Sequence, residues 1–578
     1  MARRLKTAIC AAAAVLTLTP VHALAQTTPI YAQTDLFHPV TSQNGMVASQ
    51  EAVATSVGVE ILKKGGNAVD AAIATGFALA VTLPRAGNLG GGGFMMIHMA
   101  DSGETHAREY REKAPAGAFK DMFLGPAGEP DKQKSRFSGL AIGVPGTVAG
   151  FAEAFAKHGS GNVTWQELVA PAIELAGAGI TVTSSLSDAL SARAERLTGD
   201  PATAEIFFKA GGVPYQPGET LVQADLAGTL ELISEKGAAG FYTGEVAEKI
   251  AAKVQAAGGS MTVEDLAGYE PVWRAPVTGS YRGYEIASMP PPSSGGVHIV
   301  QILNILENFP MNEYGPNSAD SIHAMSEAMR LAYADRSEYL GDPDFVSVPV
   351  TGLPSPDYAA QLTETITLDA ARPSEDIKPA DPLPYESNET THYSVVDKDG
   401  NAVSNTYTLN FSYGSGLTAD GTGVLLNNEL DDFSAKPGVP NAYGLIGGTA
   451  NAVEAGKRPL SSMSPTLVFK DGAFHLATGS PGGSRIITTT LQVILNIVDH
   501  QMNIAEATVA PRIHNQWFPD EIRIEDGVSP DTVRLLEERG HTVAVKNAMG
   551  ATQSIMNVDG VLAGCSDPRR KGALTLGY

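Results

Sequence analysis

Residues 366–390, ITLDAARPSEDIKPADPLPYESNET, divide the chain into two parts of different character. The stretch is rich in Pro, Asp, Glu and Ser and carries neither a helical nor a strand period. It reads as an exposed, protease-accessible linker. Ahead of it, helical patterns such as VAGFAEAFAKHG, VHIVQILNILENF and SIHAMSEAMRLAYADRSEYL alternate with turns and short strands. Behind it come strand-like runs: THYSVV, NAVSNTYTLNF, GTGVLLNN and SPTLVFKDGAFHLATGS. A chain of 578 residues exceeds one ordinary core, so two packed units are expected, with a boundary near 389/390. No fixed-period repeat is present.

The first 25 residues have the form of a secretory signal: MARRLK supplies positive charge, TAICAAAAVLTLTPV a short apolar run, and Ala23-Leu24-Ala25 a small-x-small cleavage site. The run is too short, and too broken by Pro20, for a membrane span. A periplasmic or secreted location is expected, with no membrane anchor once the signal is cut. The net charge of −23 argues against nucleic-acid or anionic-membrane partners, and loss of Arg3, Arg4 and Lys6 with the signal makes the chain more acidic still. Of two cysteines only Cys565 would remain, so no internal disulfide and no thiolate metal cluster can form. No His/Cys spacing calls for a metal, and no cofactor is expected.

Residues 26–50 read as an irregular leading segment. Two helices follow. The first carries Val53, Val57, Ile61 and Leu62 and stops at Lys63-Lys64-Gly65; the second, Ala68 to Leu83, is apolar nearly all round and reads as a buried core helix. GNLGGGGFMMIH then offers four consecutive glycines, but neither a Gly-Lys-Ser/Thr nor a Rossmann spacing. Close backbone packing before the strand FMMIHM is their expected use.

After the linker, DKDGN is a turn signal between two strand-like runs. With Lys398-Asp399-Gly400 as the loop, closed by Gly400 in the left-handed region, Asp397 pairs with Asn401 and Thr390 falls opposite Thr408. A two-residue turn would place Thr391 there instead. Either way a second hydroxyl neighbours the Thr390-Thr391 pair. A threonine hydroxyl needs a base. Cutting the peptide bond before it frees its own α-amino group, whose ordinary pKa of about 7.7–8.0 leaves a useful neutral fraction, and that amine can take the hydroxyl proton. An ordinary hydroxyl-rich strand start is the competing reading, and Asn388-Glu389-Thr390 also matches a glycosylation sequon.

Six blocks together resemble the γ-glutamyltranspeptidases, over nearly the whole chain beyond the signal. TTHYSVVDKDGNAVSNTYTLN, LLNNELDDFSAKPGVPNAYGL, KRPLSSMSPTLV and TGSPGGSRIITT are similar to that family's small subunit, and GNLGGGGFM and YREKAPA to its large subunit. The resemblance implies a mixed α/β fold, the αββα four-layer sandwich of N-terminal-nucleophile hydrolases. The precursor would cut itself between Glu389 and Thr390 into a large subunit, 26–389, and a small subunit, 390–578, which stay together as a heterodimer. It implies Thr390 as nucleophile and, through its α-amine, base; Thr408 as the residue that orients it; and Gly482 and Gly483 as the oxyanion hole. Arg111, Ser461 and Ser462 would hold the substrate α-carboxylate, and Asn410, Glu429 and Asp432 its α-ammonium. Some members of the family carry Gln at the position of Glu429. Tyr443 would gate a lid loop, AKPGVPNAYGL, over the donor pocket. The implied substrates are glutathione and other γ-glutamyl compounds, with water, amino acids or dipeptides as acceptors. Taken without the resemblance, AREYREK is a mixed charge run of the kind that forms a solvated face, DDFS a capping turn, and PGG a plain turn. Ser480 lies outside any Gly-x-Ser-x-Gly elbow. A cephalosporin or glutaryl acylase of the same superfamily is the nearest rival. An exported solute-binding protein is the rival of another class.

Overall fold

The computed structural model describes residues 36–379, 391–439, 441 and 445–578. Two seven-stranded sheets form its centre. One runs Leu574–Gly577, Gly45–Ser49, Thr391–Asp397, Ala402–Thr408, Gly92–Met99, Glu104–Tyr110, Val272–Arg274. The other runs Val40–Ser42, Val561–Ser566, Gln553–Val558, Ala473–Thr478, Thr466–Lys470, Tyr284–Ser288, Val277–Tyr281. Strands from before and after residues 366–390 therefore share both sheets.

The sheets pack face to face through Met46, Phe94, Met96, Val396, Leu467, Phe469, Ala477 and Ile555. Helices Ala52–Lys63, Ala68–Thr82 and Thr147–His158 cover the outer face of the first sheet. Helices Gly295–Leu306 and Arg485–Val498 cover that of the second, and Ala319–Tyr339 packs against Gly295–Leu306. This is the four-layer αββα order expected. Period-2 alternation sorts the side chains: Tyr393, Val395, Val403 and Tyr407 join the helix-side core, while Val396 and Ala402 face the second sheet.

All fifteen residues of Ala68–Thr82 are buried, as the all-round apolar pattern requires. Asn67 caps the helix, and Asp70 returns the bond to the Asn67 amide at 3.0 Å. The glycine run also packs as expected. A Cβ on Gly90 would stand 2.2 Å from the Leu425 carbonyl oxygen, one on Gly91 1.9 Å from that of Thr408, and one on Gly93 2.4 Å from that of Thr406. No side chain fits at such distances, so these glycines set how closely the strand Gly92–Met99 meets the Thr408 strand.

Two expectations change. The described part of the leading segment holds the strands Val40–Ser42 and Gly45–Ser49, the second between two neighbours and buried at all five positions. GMVAS shows no alternation because both of its faces are covered. The run AREYREK is no solvated face: Arg108, Glu109, Tyr110, Arg111 and Glu112 are all buried. Its charges survive burial by pairing. Arg108 meets Glu153 at 2.6 Å and lies over the Trp273 ring, and Glu109 meets Arg274 at 2.8 Å and Arg458 at 2.6 Å.

Candidate active site

The hairpin has the three-residue register. Thr391 pairs with Tyr407, His392 with Thr406 and Val396 with Ala402. The Asp397 amide donates to the Asn401 carbonyl at 3.1 Å, and Gly400 stands at φ +88°. The two-residue turn is excluded. Thr390, Glu389 and Tyr443 lie outside the described residues. Thr391 is engaged elsewhere: its hydroxyl accepts from Gln50 Nε2 at 2.7 Å.

Thr408 ends its strand on a network the sequence does not announce. Its carbonyl accepts from Asn88 Nδ2 at 2.8 Å, and its hydroxyl accepts from the Asn410 amide at 2.8 Å. Asn410 sits at φ +71°, a conformation asparagine tolerates better than most residues, and its Nδ2 donates to the Asn428 carbonyl at 3.0 Å. That carbonyl leads directly into the 3-10 turn Glu429–Asp432.

The turn faces Arg111. One guanidinium nitrogen bonds Glu429, another bonds Asp432 at 2.5 Å, and Nε donates to the Pro459 carbonyl at 3.0 Å. Pro459 immediately precedes the Leu460-Ser461-Ser462 segment. Ser462 Oγ accepts from Arg336 at 2.9 Å, and the Ser461 backbone is pinned between Pro292 and Ser294. The structure thus gathers Arg111, Glu429, Asp432, Ser461 and Ser462 in one buried cluster, with Asn410 joining it to Thr408. Arg111 spans both acids in this state.

Glu112 adds a third buried carboxylate 3.6 Å from Arg111. Its oxygens, and the second oxygen of Glu429, accept from no nitrogen or hydroxyl donor among the described residues. Burial pushes all three acids above the ordinary carboxylate range, Glu112 to about 7, although Arg111 opposes the shift. The guanidinium is held charged by the same three acids. Folding therefore raises the Glu112 pKa from an ordinary 4.5 to about 7. Between those values the folded protein binds the proton more tightly than the unfolded chain, so stability falls as pH rises through the window. Thermal unfolding of Glu112→Gln from pH 4 to 8 is expected to show a shallower downward slope than wild type, the remainder coming from Glu429 and Asp432, and an unchanged slope would remove Glu112 as a contributor.

Gly482 and Gly483 stand at φ +136° and +70°, values that favour glycine, just ahead of helix Arg485–Val498. Among the described residues neither amide hydrogen has an acceptor. Two free N–H groups beside a helix N-terminus can receive a developing oxyanion. Ser480 is buried, and its hydroxyl accepts from the Ala551 amide at 2.9 Å, so it braces this loop. Pro481, Thr408, Asn410 and Gln50 line one cavity of about 200 Å³, which brings the glycine loop to the Thr408 end of the hairpin.

His392 escaped the sequence reading. Its ring lies between the sheets, with Nδ1 2.9 Å from Thr406 Oγ1 and Nε2 3.1 Å from Ser394 Oγ. Burial lowers its pKa to about 3, so it is a neutral packing and hydrogen-bonding group. Strand alternation alone would have placed it with Ser394 and Thr406.

The sequence model of the gamma-glutamyltranspeptidase family matches residues 54–576. The chain is 58% identical over 545 residues to the glutathione hydrolase proenzyme of Escherichia coli (strain K12), covering 94% of this chain and 93% of that protein. It is 36% identical to the acylase ACY 1 proenzyme of Pseudomonas sp. (strain V22), over 92% and 94% of the two. Among solved structures, cephalosporin acylase from Bacillus halodurans superposes with a TM-score of 0.83 at 29% identity, covering 96% of this chain and 98% of that one. Helicobacter pylori gamma-glutamyltranspeptidase gives 0.56 at 48% identity, covering 57% and 94%. The chain belongs to the γ-glutamyltranspeptidase family.

Proposed function

We propose that this protein is a self-cleaving γ-glutamyltransferase and glutathione hydrolase that uses Thr390 as an N-terminal nucleophile. The three-residue hairpin register, Thr391 with Tyr407 through Val396 with Ala402, supports this reading. In maturation the Thr390 hydroxyl attacks the Glu389 carbonyl, the peptide C–N bond breaks, and an ester forms on Thr390 Oγ. Water hydrolyses the ester, leaving a Glu389 carboxylate and a free Thr390 amine. The pieces 26–389 and 390–578 remain a heterodimer because both sheets draw strands from each.

In turnover the Thr390 hydroxyl passes its proton to the α-amine and attacks the γ-carbonyl carbon. The Gly482 and Gly483 amides take the oxyanion, each such donor being worth roughly 3 kcal/mol. Collapse breaks the γ-amide bond, and the leaving amine carries the proton away. Water or an acceptor amine then attacks the γ-glutamyl ester and regenerates Thr390. Arg111, Ser461 and Ser462 take the α-carboxylate, while Asn410, Glu429 and Asp432 take the α-ammonium. Tyr443 closes the lid.

The observation that carries the donor assignment is a charge imbalance: three buried carboxylates share the single guanidinium of Arg111. A ligand bearing an ammonium supplies the missing positive charge. A γ-glutamyl group has one and a glutaryl group does not, which ranks the acylase reading second. The leading segment, which reads as a secretory signal, supports a periplasmic or secreted location. The test compares γ-glutamyl and glutaryl anilides on the purified protein. We expect kcat/KM to favour the γ-glutamyl donor by at least about 100-fold, in keeping with an unpaired buried charge worth several kcal/mol. The opposite preference would make it an acylase, and turnover of neither would leave a binding protein.

A further inference from the structure

Three arginines converge on the cavity that holds Thr408, Asn410 and Pro481: Arg85, Arg193 and Arg570. They come from the end of the buried helix Ala68–Thr82, from the Ala192–Ala194 turn, and from the loop before the last strand. The cavity wall contains no Asp or Glu. Among the described residues, none of the three guanidinium groups has a carboxylate partner. Arg85 donates to Ser185 Oγ at 3.1 Å and Arg193 to the Ala192 carbonyl at 3.1 Å. Such a cluster is unusual in a protein of net charge −23, where most other arginines and lysines of the described residues have acidic partners. Like charges held together without counterions favour an anion between them. The Arg85 guanidinium is pushed below its ordinary range by burial and then by the charge of Arg570, which places those two groups in one field. A second cavity of about 460 Å³ adjoins the first through Ala192, Arg193 and Ser412, so there is room beyond the hairpin for more than the γ-glutamyl group.

We propose that Arg85, Arg193 and Arg570 form a subsite for the free carboxylate of the amine component, meaning the leaving peptide in the first half-reaction and the amino acid or dipeptide acceptor in the second. The inference rests on the γ-glutamyl-transfer reading above. One subsite serves both half-reactions, because the acceptor nitrogen must attack from the position the leaving nitrogen vacated. The Arg111 cluster holds the amino-acid end of the donor, and the arginine trio at the cavity lined by Thr408 and Asn410 reads the far end. Arg193 and Arg570 are exposed and Arg85 is half-buried, so the site is open to solvent and its selectivity is moderate.

The test uses the processed wild-type heterodimer with a γ-glutamyl dipeptide donor and the same donor as its C-terminal amide. The readout is the ratio of kcat/KM for acid over amide, which cancels any general loss of activity. Wild type is expected to favour the acid by about tenfold, mainly through KM. Arg193→Gln and Arg570→Gln are each expected to bring the ratio toward one, and Arg193→Lys to retain part of it. A wild-type ratio near one would overturn the subsite, as would a ratio unchanged in both glutamine variants and in their double variant. A wild type that turns over γ-glutamyl anilide but ignores the carboxylate sinks the subsite alone. Failure to turn over any γ-glutamyl donor sinks the transfer reading and the subsite with it.

Discussion

Thr390→Ala is expected to run as one unbroken chain on a denaturing gel, whereas wild type gives two bands. The smaller wild-type band should correspond to residues 390–578 and begin Thr-Thr-His on N-terminal sequencing. A methyl group can neither attack the Glu389 carbonyl nor form the γ-glutamyl ester, so maturation and turnover fail together. Activity should fall by at least about 10⁴-fold, the scale on which removal of a nucleophile is read. The loss is chemical, and the folded state should persist. The strand Thr391–Asp397 is held by Ala402–Thr408 on one side and Gly45–Ser49 on the other. Thermal unfolding of the variant should therefore stay within about 1 kcal/mol of unprocessed wild type. Thr390→Ser, which keeps a hydroxyl, should process slowly and retain measurable activity. Two bands from Thr390→Ala would assign the cut to another agent.

The parts of this site legible in the sequence are those whose chemistry is local. DKDGN marks its own turn, and counting from it leaves two registers, of which the structure shows the three-residue one. The glycine run announces close backbone approach because nothing larger than hydrogen fits, although only the structure shows that the Thr408 and Thr406 carbonyls are what it meets. The buried helix Ala68–Thr82 was readable because it is apolar on every face. Other features were hidden for physical reasons. Gly45–Ser49 is five residues long and covered on both faces, so it has no period to detect. The charges of AREYREK look solvated because their partners, Glu153, Arg274, Glu429, Asp432 and Arg458, lie 45 to 349 positions away along the chain. Long-range pairing leaves no local trace. For the same reason nothing in the sequence distinguishes Arg85, Arg193 and Arg570 from solvated surface arginines until the fold brings them to one cavity.

Arg111→Gln should cost both stability and activity, and the two losses should have different pH dependences. Removing the guanidinium leaves Glu112, Glu429 and Asp432 buried without the cation that pairs with all three. Breaking a buried pair from one side typically costs about 3–5 kcal/mol. The acids in the variant can escape the penalty only by taking up protons, so their pKa values rise further above those of the unfolded chain. Groups whose pKa is raised on folding lend stability at low pH and lose it as pH climbs through the folded-state values. The variant should therefore approach wild-type stability near pH 5 and fall away steeply above pH 7, which thermal unfolding across that range will read. Adding Glu429→Gln should recover part of the loss at pH 8, since one surplus charge then disappears. Activity should not recover with it. If Arg111 holds the donor α-carboxylate as proposed, kcat/KM for γ-glutamyl anilide should remain down by about 10³-fold at every pH, the scale of a lost charge-assisted bidentate contact. If the double variant regained activity in step with stability, Arg111 would be a structural counterion only, and the α-carboxylate would have to be held elsewhere.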